Sequence, residues 1–410
     1  MPQITRSSAA ALDAADPFAA TRARFSLPEG AIYLDGNSLG ALPRHVPGRL
    51  AEVIARQWGE DLITSWNRHG WFDLPRRVAE RLGRLIGAEP ESVAACDTIS
   101  ANVFKLLAAA LELRPERKVI VSDTGNFPSD LYVAQGLIRH LGRGHELKLV
   151  APEAVEDAIG PDTAVVLLTE CDYRSSRLHD MAAITAAAHR AGALTLWDLA
   201  HTAGVYPVNL AATNADFAVG CTYKYLNGGP GAPAFLYVRP DLQGQVRSPL
   251  SGWWGHETPF AFTTDYRPAA GILRQHCGTP AILGLAALDA ALDVWDGVDL
   301  QALRAKSAAL CRLFIDRVEE LTDLKLSGPR DLARRGSHVS FHCAQGYAVM
   351  QALIAERITG DFRAPDLIRF GFAPLYNSYA ETYDAAGALG RILATGSWNE
   401  PRFTTRKAVT

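Results

Sequence analysis

The chain has 410 residues, of which 48% are hydrophobic and 21% are charged. This composition predicts an ordered globular protein with a large core, divided into about two or three domains of roughly 150 residues each. The formal net charge of −3 offers no basic surface for nucleic acid or an anionic membrane. We therefore expect the partners to be small molecules or a second copy of the chain.

The sequence shows no features of export or membrane insertion. Its N-terminus lacks a basic segment followed by an apolar one, and no apolar run approaches the ~20 residues that span a bilayer. A cytoplasmic location is the resulting prediction. The six cysteines lie far apart and form no CxxC pair, which disfavours a zinc site and a disulfide framework. His338 and His342 follow the alternation of a strand, so we predict no metal site there.

The first 40 residues are predicted to form an arm, a short helix and a strand. The Ala-rich segment 1–30 is weakly patterned and is followed by an apolar run at 32–34. The Gly-flanked loop after that run exposes Asn37 and Ser38. Such a loop could hold a carboxylate, although an ordinary Asx turn is the alternative.

Helical patterns follow at 46–58 and 75–86. Between them, the aromatic and polar segment around Trp66 either lines a pocket for an aromatic substrate or packs between the two helices. A third helix is predicted to begin after Thr98 and Ser100. The free N–H groups of a helix start can bind a phosphate, but these residues could equally serve as a plain N-cap.

From Lys118 onward, short apolar runs alternate with helical stretches, which is the α/β signature. Polar clusters follow the runs that end at Val121, Leu168, Trp197 and Val219. In open α/β sheets, ligands bind at the carboxyl ends of the strands. Neither G-x-G-x-x-G in the Rossmann context nor G-x-x-x-x-G-K-[ST] occurs, so a nucleotide-binding enzyme of either kind is poorly supported.

Two of these strand ends carry the most reactive side chains. One run ends at Asp198 and His201, and the other ends at Tyr223 and Lys224 before a loop rich in glycine. A lysine in a pocket can form a Schiff base, and a carboxylate can keep a pyridine nitrogen protonated. This pair, 26 residues apart, therefore suits pyridoxal phosphate.

The same cofactor needs a phosphate site and commonly an aromatic cover. Ser100 at a helix start and Phe127 after a strand offer these. Singly, each of the signals is weak, because a lysine after a strand is usually a solvated end. The joint arrangement is much harder to obtain by chance.

The last third of the chain predicts two functional loops and a smaller α+β domain. Trp253 lies in a Gly-bounded aromatic loop, and the hydroxyl of Thr279 is predicted to cap the apolar helix that runs to about 296. Helices at 300–320 and 346–357 and strands at 339–341 and 367–370 follow. Arg369, alone in an apolar strand, suggests a carboxylate partner, although a surface residue on an edge strand is the alternative.

These motifs together resemble the kynureninase family. The matching segments, from about residue 25 to 395 and in family order, are YLDGNSLG (33–40), SWN (65–67), NFPSD (126–130), WDLAHTAG (197–204), TYKYLNGGPG (222–231), GWWGHE (252–257), CGTP (277–280) and IRFGFAPLYNS (368–378). The resemblance implies an α/β protein of the fold type I pyridoxal-phosphate class, in its class V branch.

The fold implied has a large domain with a mostly parallel central sheet flanked by helices and a smaller α+β C-terminal domain. We expect residues 1–60 to form the N-terminal arm and part of the small domain, 61–285 the large cofactor-binding domain, and 286–410 the small domain. The resemblance also implies a homodimer with active sites at the interface.

Residue roles are implied position by position. Lys224 would form the Schiff base with pyridoxal phosphate and transfer the Cα proton, Asp198 would pair with the pyridine nitrogen, and Phe127 would stack on the ring. Arg369, helped by Asn37, would bind the substrate carboxylate. The cofactor shell would also include Ile99, Ser100, Asp130, Thr169, His201, Tyr223, Trp253 and Thr279.

The implied reaction is the hydrolytic Cβ–Cγ cleavage of L-kynurenine to anthranilate and L-alanine, in tryptophan catabolism and NAD biosynthesis. Tyr223, next to the lysine, is our candidate for a further proton transfer. Trp66 and Thr279 stand where members preferring the 3-hydroxylated substrate carry His and Asn, which favours unsubstituted kynurenine. The alternatives are another class V enzyme, either an aminotransferase or a desulfurase, and a non-catalytic regulator.

Overall fold

A seven-stranded sheet organises the larger part of the computed structural model, which describes residues 5–405. The strand Phe235–Val238 is antiparallel to both of its neighbours, whereas the remaining neighbouring pairs are parallel. The predicted mostly parallel sheet is therefore confirmed. In order across the sheet, the strands are Val93–Ala95, Phe235–Val238, Phe217–Gly220, Leu194–Asp198, Thr163–Thr169, Val119–Asp123 and Glu146–Val150.

The central strands are apolar throughout because both faces of the sheet are covered. Thr163–Thr169, for example, is buried along its whole length, with Val166 and Leu168 in one core cluster and Val165 and Leu167 in another. Such continuous apolar runs are typical of sheets with helices on both sides. The helices of this part of the chain are Val46–Glu52, Ser65–Arg68, Leu74–Leu85, Ile99–Leu113, Pro128–Leu141, Val155–Ala158, Met181–Arg190, Leu210–Thr213 and Ile282–Ala291.

The predicted cap of the last of these helices is wrong. Ile282–Ala291 begins after Ala281 and has no side-chain cap, while Thr279 is exposed and lies before the helix. The reason is Pro280, because a residue before proline is kept out of helical geometry and the helix starts later. The α-helix also ends at Ala291 and continues to Trp295 only as a 3₁₀ turn.

A second, four-stranded antiparallel sheet lies in the C-terminal part, with its strands in the order Lys325–Ser327, His338–His342, Leu367–Gly371 and Asp361–Arg363. Side chains of successive strand residues point to opposite faces. Val339, Phe341, Ile368 and Phe370 accordingly join an apolar core, and His338, Ser340, Arg369 and Asp361 share the other face. Leu367–Gly371 has a strand on each side, so the edge-strand alternative for Arg369 is wrong.

Helices Leu300–Leu321, Gly346–Ala355 and Tyr379–Thr395 cover the apolar face of this small sheet, and the short helix Pro401–Thr404 follows. The beginning of the chain joins the same region. Helix Arg6–Ala14 packs on Tyr379–Thr395. The short strand Ile32–Tyr33 pairs in parallel with Ile358–Thr359.

The predicted domain boundaries at 60/61 and 285/286 stay a prediction, and their outermost residues, 1–4 and 406–410, lie outside the described residues. Within residues 5–405, no helix combines the length and the apolar character needed to cross a bilayer.

Candidate active site

The carboxyl ends of the central strands open into a cavity of about 350 Å³. Because parallel strands end at the same edge of a sheet, residues distant in sequence meet there. The predicted site residues that line it are Ile99, Ser100, Phe127, Asp130, Asp198, His201, Tyr223 and Lys224. Thr98, Ser129, Ala200, Cys221, Gly231, Ala232 and Ala234 complete the lining, and the sequence analysis did not single out most of these neighbours.

Lys224 lies in the loop after strand Phe217–Gly220, with its side chain reaching the cavity. It is 9% exposed, and its Nζ atom lies 3.3 Å from Nε2 of His201. The rings of Phe127 and Tyr223 have their centroids 5.8 and 5.9 Å from Nζ. The amine is thus withdrawn from solvent but faces open space, as a Schiff-base lysine must.

Two carboxyl groups, Asp198 and Asp130, share this cavity with the lysine. Asp198 ends its strand and accepts a hydrogen bond from the backbone of Ala200 at 2.8 Å. Burial raises its pKa to about 6, although the charge of Lys224 opposes the rise. Burial and the neighbouring Asp198 raise the pKa of Asp130 well above its usual range. Of the two, Asp198 is therefore the better anion.

Asp130 is fully buried, and neither of its carboxyl oxygens has a hydrogen-bond partner in the described chain. Nδ1 of His201 is also buried without a hydrogen-bond partner in the described chain. Buried polar atoms normally have partners, so unsatisfied ones around a cavity indicate that a ligand supplies them.

Three further titratable groups line the cavity, His201, Tyr223 and Cys221, and they stay uncharged near neutral pH; burial raises the pKa of the Cys221 thiol. Burial and the charge of Lys224 lower the pKa of His201 well below its usual range, so its imidazole is neutral. Burial raises the pKa of Tyr223, so its hydroxyl keeps its proton. A neutral imidazole and a phenol can both donate and accept hydrogen bonds beside the lysine.

One end of the cavity is the start of helix Ile99–Leu113. Thr98 caps it by accepting a hydrogen bond from the backbone of Ala101 at 3.3 Å. Ser100 lies in the first turn, where backbone N–H groups have no partner within the helix. This helix start has the partial positive charge and donors that bind a phosphate group.

Arg369 and Asn37 lie outside the cavity lining. The side chain of Arg369 is 2% exposed and forms an ion pair with Asp361. Its Nη1 donates to the carbonyl oxygen of Tyr173 at 2.6 Å. The Tyr173 ring in turn packs edge-on against Phe127, with the centroids 5.1 Å apart. Arg369 is therefore one residue removed from the cavity wall.

Thr169 does not line the cavity either. Its hydroxyl donates to the side-chain oxygen of Asn126, and the amide of Asn126 donates to Ser122 at 2.9 Å. The contacts of Thr169 thus support the loop that carries Phe127.

Trp253, Thr279 and Trp66 also lie outside the cavity lining. Trp253 is 37% exposed and stacks edge-on with Trp254, with the ring centroids 4.9 Å apart. Trp66 also packs on Trp254, at 5.4 Å. Trp253 and Trp66 thus belong to an aromatic cluster around Trp254, and Thr279 is exposed.

Sequence reasoning missed Tyr173, Asp361 and His338. Loop conformation and strand register bring them around Arg369. Asp361, for example, lies opposite Arg369 because of the register of their two strands. The alternation at His338 gave a strand but no reason to place that strand beside the site.

The lining fits pyridoxal phosphate: Lys224 for the aldehyde, Asp198 for the ring nitrogen, unsatisfied buried atoms of Asp130 and His201, and a helix start for the phosphate. The fold and this cavity define a fold type I pyridoxal-phosphate enzyme.

Solved structures agree on the fold. A cysteine desulfurase from Thermococcus onnurineus superposes with a TM-score of 0.77 at 21% identity, covering 92% of this chain and 98% of that one. The cystine C–S lyase C-DES, in complex with cysteine persulfide, gives 0.77 at 18% identity, covering 88% and 98%.

The sequence comparisons are more specific. A kynureninase of Pseudomonas fluorescens and one of Burkholderia mallei are each 51% identical over 414 aligned residues, covering 99% of this chain and the whole relative. The model of the kynureninase C-terminal domain matches residues 303–389. The chain belongs to the kynureninase family.

Proposed function

We propose that this protein cleaves L-kynurenine hydrolytically to anthranilate and L-alanine with pyridoxal phosphate as cofactor. The observation that carries this proposal is full-length identity of 51% to kynureninases, together with one cavity that collects Lys224, Asp198 and Tyr223. In the overall reaction, the Cβ–Cγ bond breaks, water supplies a hydroxyl to the aroyl carbon, and a proton goes to Cβ.

The bound cofactor supplies an electron-withdrawing ring that stabilises negative charge on the substrate. Lys224 holds the cofactor and then moves the Cα proton with its amine. Asp198 keeps the ring nitrogen protonated, since an adjacent anion favours the charged form of a base. Its raised pKa of about 6 still leaves it mostly ionised at neutral pH before any cationic partner binds.

Tyr223 is the proposed second proton-transfer group. Its phenol retains its proton, because burial raises its pKa, and its ring lies next to the lysine amine. It can thus donate a proton to the substrate carbonyl oxygen or to Cβ. His201, neutral and within 3.3 Å of Lys224, orients the amine.

The remaining site residues follow from their positions. Ile99 and Ser100 are proposed to bind the phosphate, Phe127 to cover the ring, and Asp130 to support the ring nitrogen beside Asp198. Thr169 contributes by holding the loop of Phe127 through Asn126.

The substrate carboxylate is assigned to Arg369. A buried guanidinium matches a carboxylate in charge and shape, and only Tyr173 separates it from Phe127. Asn37 touches Arg369 and supports it.

Two further expectations stay predictions. One is the preference for unsubstituted kynurenine, which we infer from Trp66 and Thr279, and the other is the cytoplasmic location.

The test is to incubate the holoenzyme with L-kynurenine and measure anthranilate by its fluorescence and alanine by chromatography. We expect the two products in equal amounts. Cofactor bound at full occupancy without either product would overturn the proposal. Transamination products, or sulfide from cysteine, would instead support the other class V activities, which no contact in the described site favours.

We also propose a homodimer whose two active sites are shared between chains. Several large apolar side chains are exposed, and Phe260 and Phe262 pack on each other with their ring centroids 6.3 Å apart; contiguous exposed apolar patches mark interaction surfaces. The exposed side chains include Ile54 at 45%, Ile63 at 78%, Phe260 at 63% and Phe262 at 78% exposure. Trp253 packs on Phe260 with the ring centroids 5.9 Å apart, and pairing of two chains would allow Trp253 and Thr279 to reach the phosphate site of the partner.

Mixing two inactive or impaired variants tests this sharing. Lys224→Ala and Trp253→Ala chains are refolded separately and together, with light scattering to measure the oligomer. If the sites are shared, the mixed dimer contains one site with both Lys224 and Trp253, and activity rises above that of either parent. If Trp253 acts within its own chain, mixing restores nothing.

A further inference from the structure

The donor groups of Arg369 are almost all satisfied within the chain. Nε donates to Oδ1 of Asp361 at 2.9 Å. Nη2 donates to Oδ2 of Asp361 and to the hydroxyl of Ser38, the latter at 3.0 Å. Nη1 donates to the carbonyl oxygen of Tyr173 at 2.6 Å. A guanidinium has five N–H donors, so one N–H of Nη1 remains for another acceptor.

These contacts divide the guanidinium into two edges. The Nε/Nη2 edge faces the Asp361 carboxylate in the bidentate arrangement that fixes both distance and plane. With its amide oxygen turned toward the same edge, Asn37 accepts from Nε at 2.9 Å and from Nη2 at 3.1 Å. The Nη1/Nη2 edge meets only neutral oxygens, those of Tyr173 and Ser38.

A ligand can replace the neutral contacts of the Nη1/Nη2 edge more readily than the charged contact between the Nε/Nη2 edge and Asp361. A carboxylate that replaces the Ser38 hydroxyl at Nη2 forms a charge-assisted bond in place of a neutral one. Displacing Asp361 would instead separate a buried carboxylate from its buried cation and leave it with the partly exposed Arg363, which is unfavourable. The hydroxyl of Ser38 still donates to Oδ2 of Asp361 at 2.9 Å, so it has a partner on either arrangement.

The strand register fixes Asp361 in this position. Asp361 lies directly opposite Arg369 on the neighbouring antiparallel strand, and both side chains are 2% exposed. Burial opposes ionisation of Asp361, but the charges of Arg369 and Arg363 outweigh it and lower its pKa. The carboxylate therefore stays charged and available to hold Arg369 across the physiological range.

We infer that Asp361 is a positioning residue for substrate binding: it holds the Nε/Nη2 edge of Arg369 so that the Nη1/Nη2 edge receives the substrate α-carboxylate in place of Ser38. This inference rests on the proposed role of Arg369 in binding the substrate. Asp361 does not contact the substrate and acts through the orientation of the guanidinium.

The experiment compares Asp361→Asn, Arg369→Gln and Arg363→Gln in the holoenzyme. Arg363 is the matched control, because it donates to the same carboxylate at 2.6 Å but is 40% exposed. L-alanine is titrated into each protein while the absorbance of the bound cofactor is followed. KM and kcat for L-kynurenine are measured alongside.

For Asp361→Asn, we expect L-alanine binding to weaken and KM to rise by about tenfold to a hundredfold, the equivalent of one charged hydrogen bond, with kcat changed much less. Arg363→Gln should stay within about threefold of wild type. If Arg369→Gln weakens L-alanine binding and Asp361→Asn does not, the inference is overturned and the role of Arg369 stands.

Unchanged L-alanine binding in Arg369→Gln would overturn the proposed role of Arg369 itself, while product formation would still test the reaction separately. If Asp361→Asn does not fold, Asp361→Glu keeps the charge but moves the carboxylate by one methylene. Weaker L-alanine binding is again expected there, and wild-type binding in Asp361→Glu would contradict the requirement for a fixed edge.

Discussion

The polar groups of the cofactor cavity and the guanidinium of Arg369 differ in how completely the chain provides their hydrogen-bond partners. Around the cavity, both carboxyl oxygens of Asp130 and Nδ1 of His201 are buried without partners in the described chain. Nearly every donor of the Arg369 guanidinium has an acceptor, although both ring nitrogens of the neighbouring His338 have no partner in the described chain. Both regions are equally buried, so solvent does not explain the difference.

The difference corresponds to how long each ligand stays. A cofactor that remains bound can provide the missing partners permanently, so the chain does not need to. A substrate leaves in every turnover, and a buried guanidinium without partners between turnovers would be costly. Internal acceptors such as Asp361 and Ser38 avoid that cost.

The most severe way to disturb the cavity is Lys224→Ala. Removing the amine eliminates both the attachment of the cofactor and the Cα proton transfer, so we expect activity to fall by about 10³-fold or more. Visible absorbance should be lost after gel filtration, whereas it should persist in the exposed control Lys148→Ala. Retained colour and turnover in Lys224→Ala would contradict the assignment.

Tyr223→Phe tests whether the neighbouring phenol transfers a proton. We expect the cofactor absorbance to persist and kcat to fall by about 10²-fold, a typical contribution of a general acid. Tyr225→Phe is the control, since its hydroxyl only donates to the carbonyl oxygen of Ser337 at 3.4 Å. Wild-type turnover in Tyr223→Phe would remove Tyr223 from the mechanism.

The same substitution at the two cavity carboxyls should give unequal effects. Asp198→Asn removes the anion opposite the ring nitrogen, and we expect kcat to fall by about 10²-fold. Asp130→Asn should cost less than about tenfold, because the raised pKa of Asp130 means that the amide resembles the protonated acid already present. Steady-state kinetics at saturating cofactor measure both, and equal losses would contradict this division of roles.

The smallest effect concerns stability at Glu170, directly after the strand that ends at Thr169. Burial raises the pKa of Glu170 from 4.5 to about 7, so the folded state binds a proton that the unfolded state has released. Wild-type stability therefore falls, relative to Glu170→Gln, as pH rises from about 4.5 to about 7 and then levels off.

At pH 8, we expect Glu170→Gln to unfold with a free energy higher by about 1–3 kcal/mol, given about 1.4 kcal/mol per proton and pH unit. Urea unfolding at two pH values measures this. If the unfolding free energies of wild type and Glu170→Gln differ by the same amount at pH 4 and pH 8, the carboxyl group does not titrate between these pH values.

The sequence predicts the cavity better than the surroundings of Arg369. Parallel strands bring their carboxyl ends together whatever the loops do, so Asp198 and Lys224 could be paired from apolar runs alone. Asp361 could not be found in this way, because its contact with Arg369 depends on the register across a hairpin. A shift of one residue would turn its side chain to the other face.

Trp253 and Thr279 illustrate a different limit. Their loops have no periodic pattern from which a position could be calculated, and Pro280 moves the helix start beyond Thr279. The motif in which they lie is informative about the family but not about which chain's cavity they serve.

The loop after strand Ile32–Tyr33 connects the surroundings of Arg369 with those of Lys224. Asn37 touches Arg369, while the backbone N–H of Gly40 donates to the carbonyl oxygen of Tyr223 at 2.8 Å. A methyl group on Gly40 would lie 2.2 Å from the carbonyl oxygen of Lys224. Three residues span at most roughly 11 Å, so this short loop ties the backbone at Lys224 to the contacts of Arg369. A displacement of the loop would therefore disturb both groups together.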